Sequence, residues 1–112
     1  MIFWLNFQKK AVTAKDIAAS DFRSGNPRFS AEAIAANQAI VEGIAAIAER
    51  HGVSTAQISL AWVLAQGPTV VPIPGTKRRK WLEQNAAAAD VVLTEQDLAD
   101  IAALPKPTTA RY

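Results

Sequence analysis

The segment Val70-Val71-Pro72-Ile73-Pro74-Gly75-Thr76 limits what this chain can fold into more than any other. About residues 69–73 it reads as a short buried strand, set between Gly67-Pro68 and a Pro-Gly turn. The residues around it, from 31 onward, read as helices. Pro72 and Pro74 lack the N–H that a ladder needs, so pairing must fade toward the strand's carboxyl end. A single strand has no stability alone in water. It must join a sheet supplied from elsewhere, or serve as a short extended link in a mainly helical domain.

Four helices are expected. The first runs from about Ala31 to Arg50, with Ile34, Val41, Ile44 and Ala48 as its apolar stripe and Ile40 and Ile47 widening it. The second runs from about Thr55 to Gln66, with Ile58, Ala61, Trp62 and Ala65 at helical spacing, and stops at Gly67-Pro68. A third runs from Lys77 to about Ala89. The fourth spans Glu95 to Leu104 and is closed by Pro105. Upstream, residues 1–10 are compatible with a strand or with an apolar arm that docks on a partner, and Ser24-Gly25-Asn26-Pro27 is a loop. The tail from Pro105 to Tyr112 reads as extended. The whole of 1–112 is taken as one domain.

The helix starts separate one element from the rest. Thr94 precedes Glu95 and Asp97, which puts acid where the helix dipole favours it. Ser54 and Gln57 form a capping-box pattern, and the helix after Ser30 carries Glu32 in its first turn. Arg50 and His51 beside Gly52 match the opposite end. The helix expected to begin at Thr76 breaks the rule, because its first turn would be Lys77-Arg78-Arg79-Lys80. Each cation there costs about 0.3–1 kcal/mol near the surface. A multiply charged anion such as a phosphate, seated before the helix, would reverse the sign of that effect. The bland reading of the same run is a solvated basic face.

Composition removes several function classes. The chain has no cysteine, hence no disulfide, thiolate metal site or cysteine nucleophile. Half the residues are hydrophobic, enough for a core. A net charge of +2 does not imply nucleic acid. No run reaches the roughly 18 uninterrupted apolar residues of a membrane helix, and the start lacks the pattern of a signal peptide. The protein is therefore expected to be soluble and cytoplasmic, with no membrane and no nucleic-acid partner. One histidine with no cysteine gives no metal site, and His51 reads as a dipole partner. Trp62 reads as core, Trp81 as packing or ligand contact, and Trp4 as buried in a protein contact.

The runs Leu60-Ala61-Trp62-Val63-Leu64-Ala65-Gln66, Val71-Pro72-Ile73-Pro74-Gly75-Thr76-Lys77-Arg78 and Leu82-Glu83-Gln84-Asn85 resemble the carboxyl-terminal part of aldo-keto reductases. Asn26-Pro27-Arg28-Phe29 is similar to the loop before the seventh helix in one branch of that family. The resemblance covers about residues 11–112. It implies an α/β fold, the C-terminal part of an eight-stranded (β/α)8 TIM barrel, with this piece itself mainly α and holding one or two short strands. It also implies carbonyl reduction with NADPH. Phosphate sites of such barrels often lie beyond strands seven and eight, at a helix amino end. By the resemblance, Gly75, Thr76, Lys77 and Arg78 fall in the loop that grips the adenosine 2′-phosphate, which favours NADP over NAD. Gln84 and Asn85 fall where the family contacts adenine. Trp81 stands where many members carry Arg or Gln, so the clamp is looser or the indole stacks on adenine.

The family's catalytic Asp, Tyr, Lys and His lie upstream of the part matched, and neither Tyr112 nor His51 stands at a matching position. No catalytic residue and no metal ligand is assigned. Residues 1–10 do not resemble the family's seventh-strand region, so the chain reads as truncated or as a piece with a replaced start. The expected function is the cofactor-phosphate half of an NADP-dependent reductase, inactive alone. The partner is NADP(H) or a small anion. The alternative is an inactive helical scaffold or oligomerisation module, since a partial barrel leaves strand edges and helix faces open and invites self-pairing.

Overall fold

The structure, a computed structural model, describes residues 30–106. The expectations for residues 1–10, for the Ser24–Pro27 loop and for the tail beyond Lys106 lie outside the described residues.

Helix α1 (Ala31–His51) starts where the caps place it. Ser30 holds extended backbone and its hydroxyl accepts from Ala33 N–H at 3.1 Å. The helix ends at Gly52, whose φ of 64° is open to glycine at little cost. The Gly52 N–H reaches the Ala48 and Glu49 carbonyls, and Val53 N–H turns back to Ala48 O at 3.0 Å. Helix α2 (Thr55–Leu64) opens on a full capping box. Gln57 N–H donates to Ser54 Oγ, and Ser54 N–H donates to Gln57 Oε1. Helix α4 (Glu95–Ala102) repeats the device with Thr94 and Asp97.

Between them lies α3 (Arg79–Ala87), continued by a 3-10 turn at Ala88–Asp90. It begins two residues later than the sequence suggests. Thr76 does not cap it. Its hydroxyl closes a tight local turn instead, accepting from Arg78 N–H at 3.3 Å and lying 3.4 Å from Arg78 O. Arg78 is left as an N-cap with no side-chain bond.

The core forms where α1 crosses α2 and α4. Ile40, Ile44, Ile47 and Ala48 of α1 close on Ile58 of α2, which is 0% exposed. Val53, Val91, Leu93, Ile101 and Leu104 pack around them. The apolar stripe of α1 is thus turned from the expected one. Ala33, Ile40, Ile44 and Ile47 are buried at its centre, while Ile34 and Val41 are half-buried at its flanks. Trp62 is likewise only half-buried. With Ile44, Ile58, Ser59 and Ile101 it lines a cleft of about 20 Å³, room for one water at most.

One helix bears on the membrane expectation. By length and composition α1 is long and apolar enough to cross a bilayer. Alanines supply much of that hydropathy, and the isoleucines turn toward the core.

A correction concerns the strand. Among the described residues there is no β-strand, and residues 69–76 run as an irregular link between α2 and α3. Val71 is 74% exposed and Ile73 93% exposed, so the expected burial is absent too. The reason is physical: no described segment lies alongside to complete a ladder.

Candidate anion site

The site is built from the end of that link and the start of α3. Pro72 and Pro74 fix φ and push Val71 and Ile73 toward extended backbone, which delivers the chain to Gly75 without slack. Gly75 is exposed, and among the described residues nothing but its chain neighbours lies within 4 Å of where its Cβ would be. Thr76 then ties the turn to Arg78, and α3 begins.

Four cations border this point. Lys77 and Arg78 precede the helix, while Arg79 and Lys80 stand in its first turn, which holds no acid. All four are exposed. Among the described residues none of them forms an ion pair with a carboxylate. Lys80 Nζ instead lies 4.8 Å from the Trp81 ring centre, over its face. α1 and α4 both place acid in the first turn, and α2 places a neutral capping box there. The α3 start therefore presents uncapped N–H groups and concentrated positive charge to solvent. That is the arrangement a phosphate or carboxylate satisfies.

The remaining candidates lie further along α3. Trp81 is half-buried and its indole is covered on one side by Lys80. Gln84 is half-buried, and its carbonyl accepts from Gln57 Nε2 of α2 at 3.1 Å. Asn85 is 9% exposed, in the region where α3 meets α2. Gly75, Thr76, Lys77 and Arg78 thus gather before the helix, Trp81 sits beside them in its opening turn, and Gln84 and Asn85 sit inward and one turn away.

A second polar cluster ties α1 to α4. The carboxylate of Asp97, 4% exposed, accepts Thr94 N–H at 2.9 Å. It also lies 2.7 Å from His51 Nε2 and accepts Arg50 Nη2 at 2.8 Å. Arg50 reaches Asp100 as well, at 2.8 Å, and Gln96 donates to Asp100. The Thr94 backbone bond, followed by the His51 bond, pulls the Asp97 carboxyl down to about 2. Arg50, then Gln96, lowers that of Asp100. His51 is thus a structural partner held by a carboxylate. The sequence reading found the dipole roles of His51 and Asp97 but missed their pairing. A signal existed in the adjacent Arg50 and His51 ending α1 and the Asp97/Asp100 pair, spaced by three on one face of α4.

The chain belongs to the aldo/keto reductase family, whose sequence profile matches residues 4–106. It is 42% identical over 86 residues to Aldo-keto reductase str7 of Strobilurus tenacellus, covering 77% of this chain and 26% of the relative. It is 50% identical over 76 residues to Probable aldo-keto reductase 1 of Glycine max, covering 68% of this chain and 22% of the relative. It is 42% identical over 86 residues to Aldo-keto reductase yakc [NADP(+)] of Schizosaccharomyces pombe, covering 77% and 25%. The chain thus spans about a quarter of the length of these relatives. No solved structure matches it significantly. The family implies a TIM barrel, and the mainly helical piece described here is consistent with part of one.

Proposed function

We propose that this chain carries the cofactor-phosphate grip of an NADP-dependent aldo-keto reductase. The observation that carries the reading is the start of α3, uncapped and bordered by four cations that no described carboxylate neutralises. One relative bears NADP(+) in its name, which supports the choice of nucleotide. In this reading Gly75 lets the phosphate approach backbone, and Thr76 fixes the turn that aims Lys77 and Arg78. Those two supply the charge-assisted bonds, and the uncapped N–H groups of α3 supply the rest. Trp81, Gln84 and Asn85 border the adenosine.

The cofactor, when bound, supplies the hydride for carbonyl reduction. No residue of this chain is assigned to the proton transfer that accompanies it, so the chain by itself is expected not to reduce carbonyls. Calorimetric titration with 2′-phospho-AMP tests the binding. Saturable binding that weakens about 10-fold or more in Lys77→Ala or Arg78→Ala is expected, the loss of one charge-assisted bond. Binding unchanged in both variants refutes the assignment.

A second reading has its own observation. Val71, Ile73, Leu82 and Val92 are exposed large apolar residues, as on a packing module that binds no nucleotide. No binding of 2′-phospho-AMP, together with a concentration-dependent dimer in light scattering, supports that reading instead.

A further inference from the structure

We propose that Gln57 of α2 is a positioning residue for the adenosine of the nucleotide: its amide seats α3 so that Gln84 and Asn85 hold their places. The ligand rests on the nucleotide reading above, and the seat rests on hydrogen-bond geometry alone.

Gln57 is engaged at both ends of its amide. Its Oε1 accepts from Ser54 N–H at 3.0 Å, the reciprocal half of the α2 capping box. Its Nε2 donates to Gln84 O of α3 at 3.1 Å, across 27 positions of sequence. The two bonds fix the orientation of the amide. Turned over, it would set nitrogen against an N–H and oxygen against a carbonyl. Glutamate, the other residue that completes such a box, has no donor to offer α3.

α3 has a use for that donor. The helix tightens at its end, where Ala88 N–H turns to the Asn85 and Ala86 carbonyls and not back four residues to Gln84. Carbonyls of a last turn look outside the helix for a partner. Gln57 supplies one to Gln84, in a part-buried bond. Little within α3 does the same work. Its amino end has no side-chain cap, Asn85 is its one buried residue, and Leu82 is 59% exposed. Apolar burial is non-directional, so a directed bond is what fixes how far along α2 this short helix sits.

The bonded carbonyl belongs to Gln84 and precedes Asn85. A shift there moves both side chains that border the adenosine. The turn before α3 is tied separately, by the bonds of Thr76 to Arg78. Adenosine contacts therefore depend on Gln57, and phosphate contacts do not.

Gln57→Glu separates the two duties. A carboxylate still accepts from Ser54 N–H, so α2 keeps its cap, but Gln84 O loses its donor. Calorimetry should show 2′-phospho-AMP bound about 3–10-fold more weakly, the scale of one hydrogen bond. Inorganic phosphate, followed by NMR at the Arg79 and Lys80 amides, should bind as it does to the native chain. A general loss of structure would weaken both. Unchanged affinity for 2′-phospho-AMP, or equal weakening of both ligands, overturns the proposal. The seat also has a readout without ligand and without a variant. In the native chain the Gln57 side-chain amide should exchange at least about tenfold more slowly than a free one. Should the native chain bind no 2′-phospho-AMP, the nucleotide reading falls and the seat is judged by this exchange. A freely exchanging Gln57 amide overturns the seat, whether or not Gln57→Glu folds.

Discussion

Asp97 is the residue whose removal should reveal most about how this chain holds together. It closes the capping box of α4 and meets two side chains from the end of α1. Asp97→Ala removes the reciprocal half of the capping box, the bond from Thr94 N–H, at about 1 kcal/mol, and leaves the Thr94 hydroxyl bonded to the backbone N–H of position 97. It also leaves His51 without its carboxylate and Arg50 with Asp100 alone. The depressed carboxyl sets a scale for the second part. A fall from 3.8 to about 2 corresponds to at most about 2 kcal/mol of extra stability when Asp97 is ionised. The two share the Thr94 bond, so they do not simply add, and a total of about 2–3 kcal/mol is expected. Urea unfolding followed by circular dichroism at pH 7 measures it as a lower midpoint with an unchanged slope. The pH dependence supplies the sign. Because the folded-state value lies below the unfolded one, the contribution is complete above about pH 4 and is lost as pH falls toward about 2. The native chain should therefore weaken across that window, and Asp97→Ala should weaken less. A loss at pH 7 below about 0.5 kcal/mol, the scale of an ordinary surface substitution, would refute the reasoning.

Two further outcomes follow from the same structure. Replacing Arg79 and Lys80 by Glu should raise thermal stability, since each change removes a repulsion and adds an attraction of about 0.3–1 kcal/mol at the α3 start. The same variant should lose 2′-phospho-AMP binding, and a drop in melting temperature would contradict the dipole argument. Ile58→Ala, at the most buried position of the core, should cost about 2–4 kcal/mol in urea unfolding, and a loss under about 1 kcal/mol would place the core elsewhere.

The helix caps were legible because their chemistry is local. Ser30, Ser54 and Thr94 each satisfy N–H groups within three residues, so sequence alone places α1, α2 and α4 within about a turn. The start of α3 was misplaced because Thr76, a good cap by type, spends its hydroxyl on the turn before the helix. The strand was misread for a different reason. Apolar β-branched residues specify extended backbone, but a ladder needs a neighbour, and none lies among the described residues. The stripe of α1 was displaced because periodicity gives a face and not its centre. That centre is set by where Ile58, Ile101 and Leu104 arrive. The pairing of Asp97 with His51 and Arg50 joins residues more than forty positions apart, so the local patterns marked the two groups but not their meeting. Of the candidate site, the cationic run was legible as a breach of the dipole rule. The inward position of Asn85 needed the packing of α3 on α2.

The most direct measurement of the cofactor-phosphate assignment compares 2′-phospho-AMP with AMP on the same chain, at two salt concentrations. The account predicts that the nucleotide with the 2′-phosphate binds at least about tenfold tighter. It also predicts that the preference shrinks as salt rises, and that it disappears in Lys77→Ala/Arg78→Ala. Equal affinities for the two nucleotides, or a preference that survives loss of both cations, would contradict it.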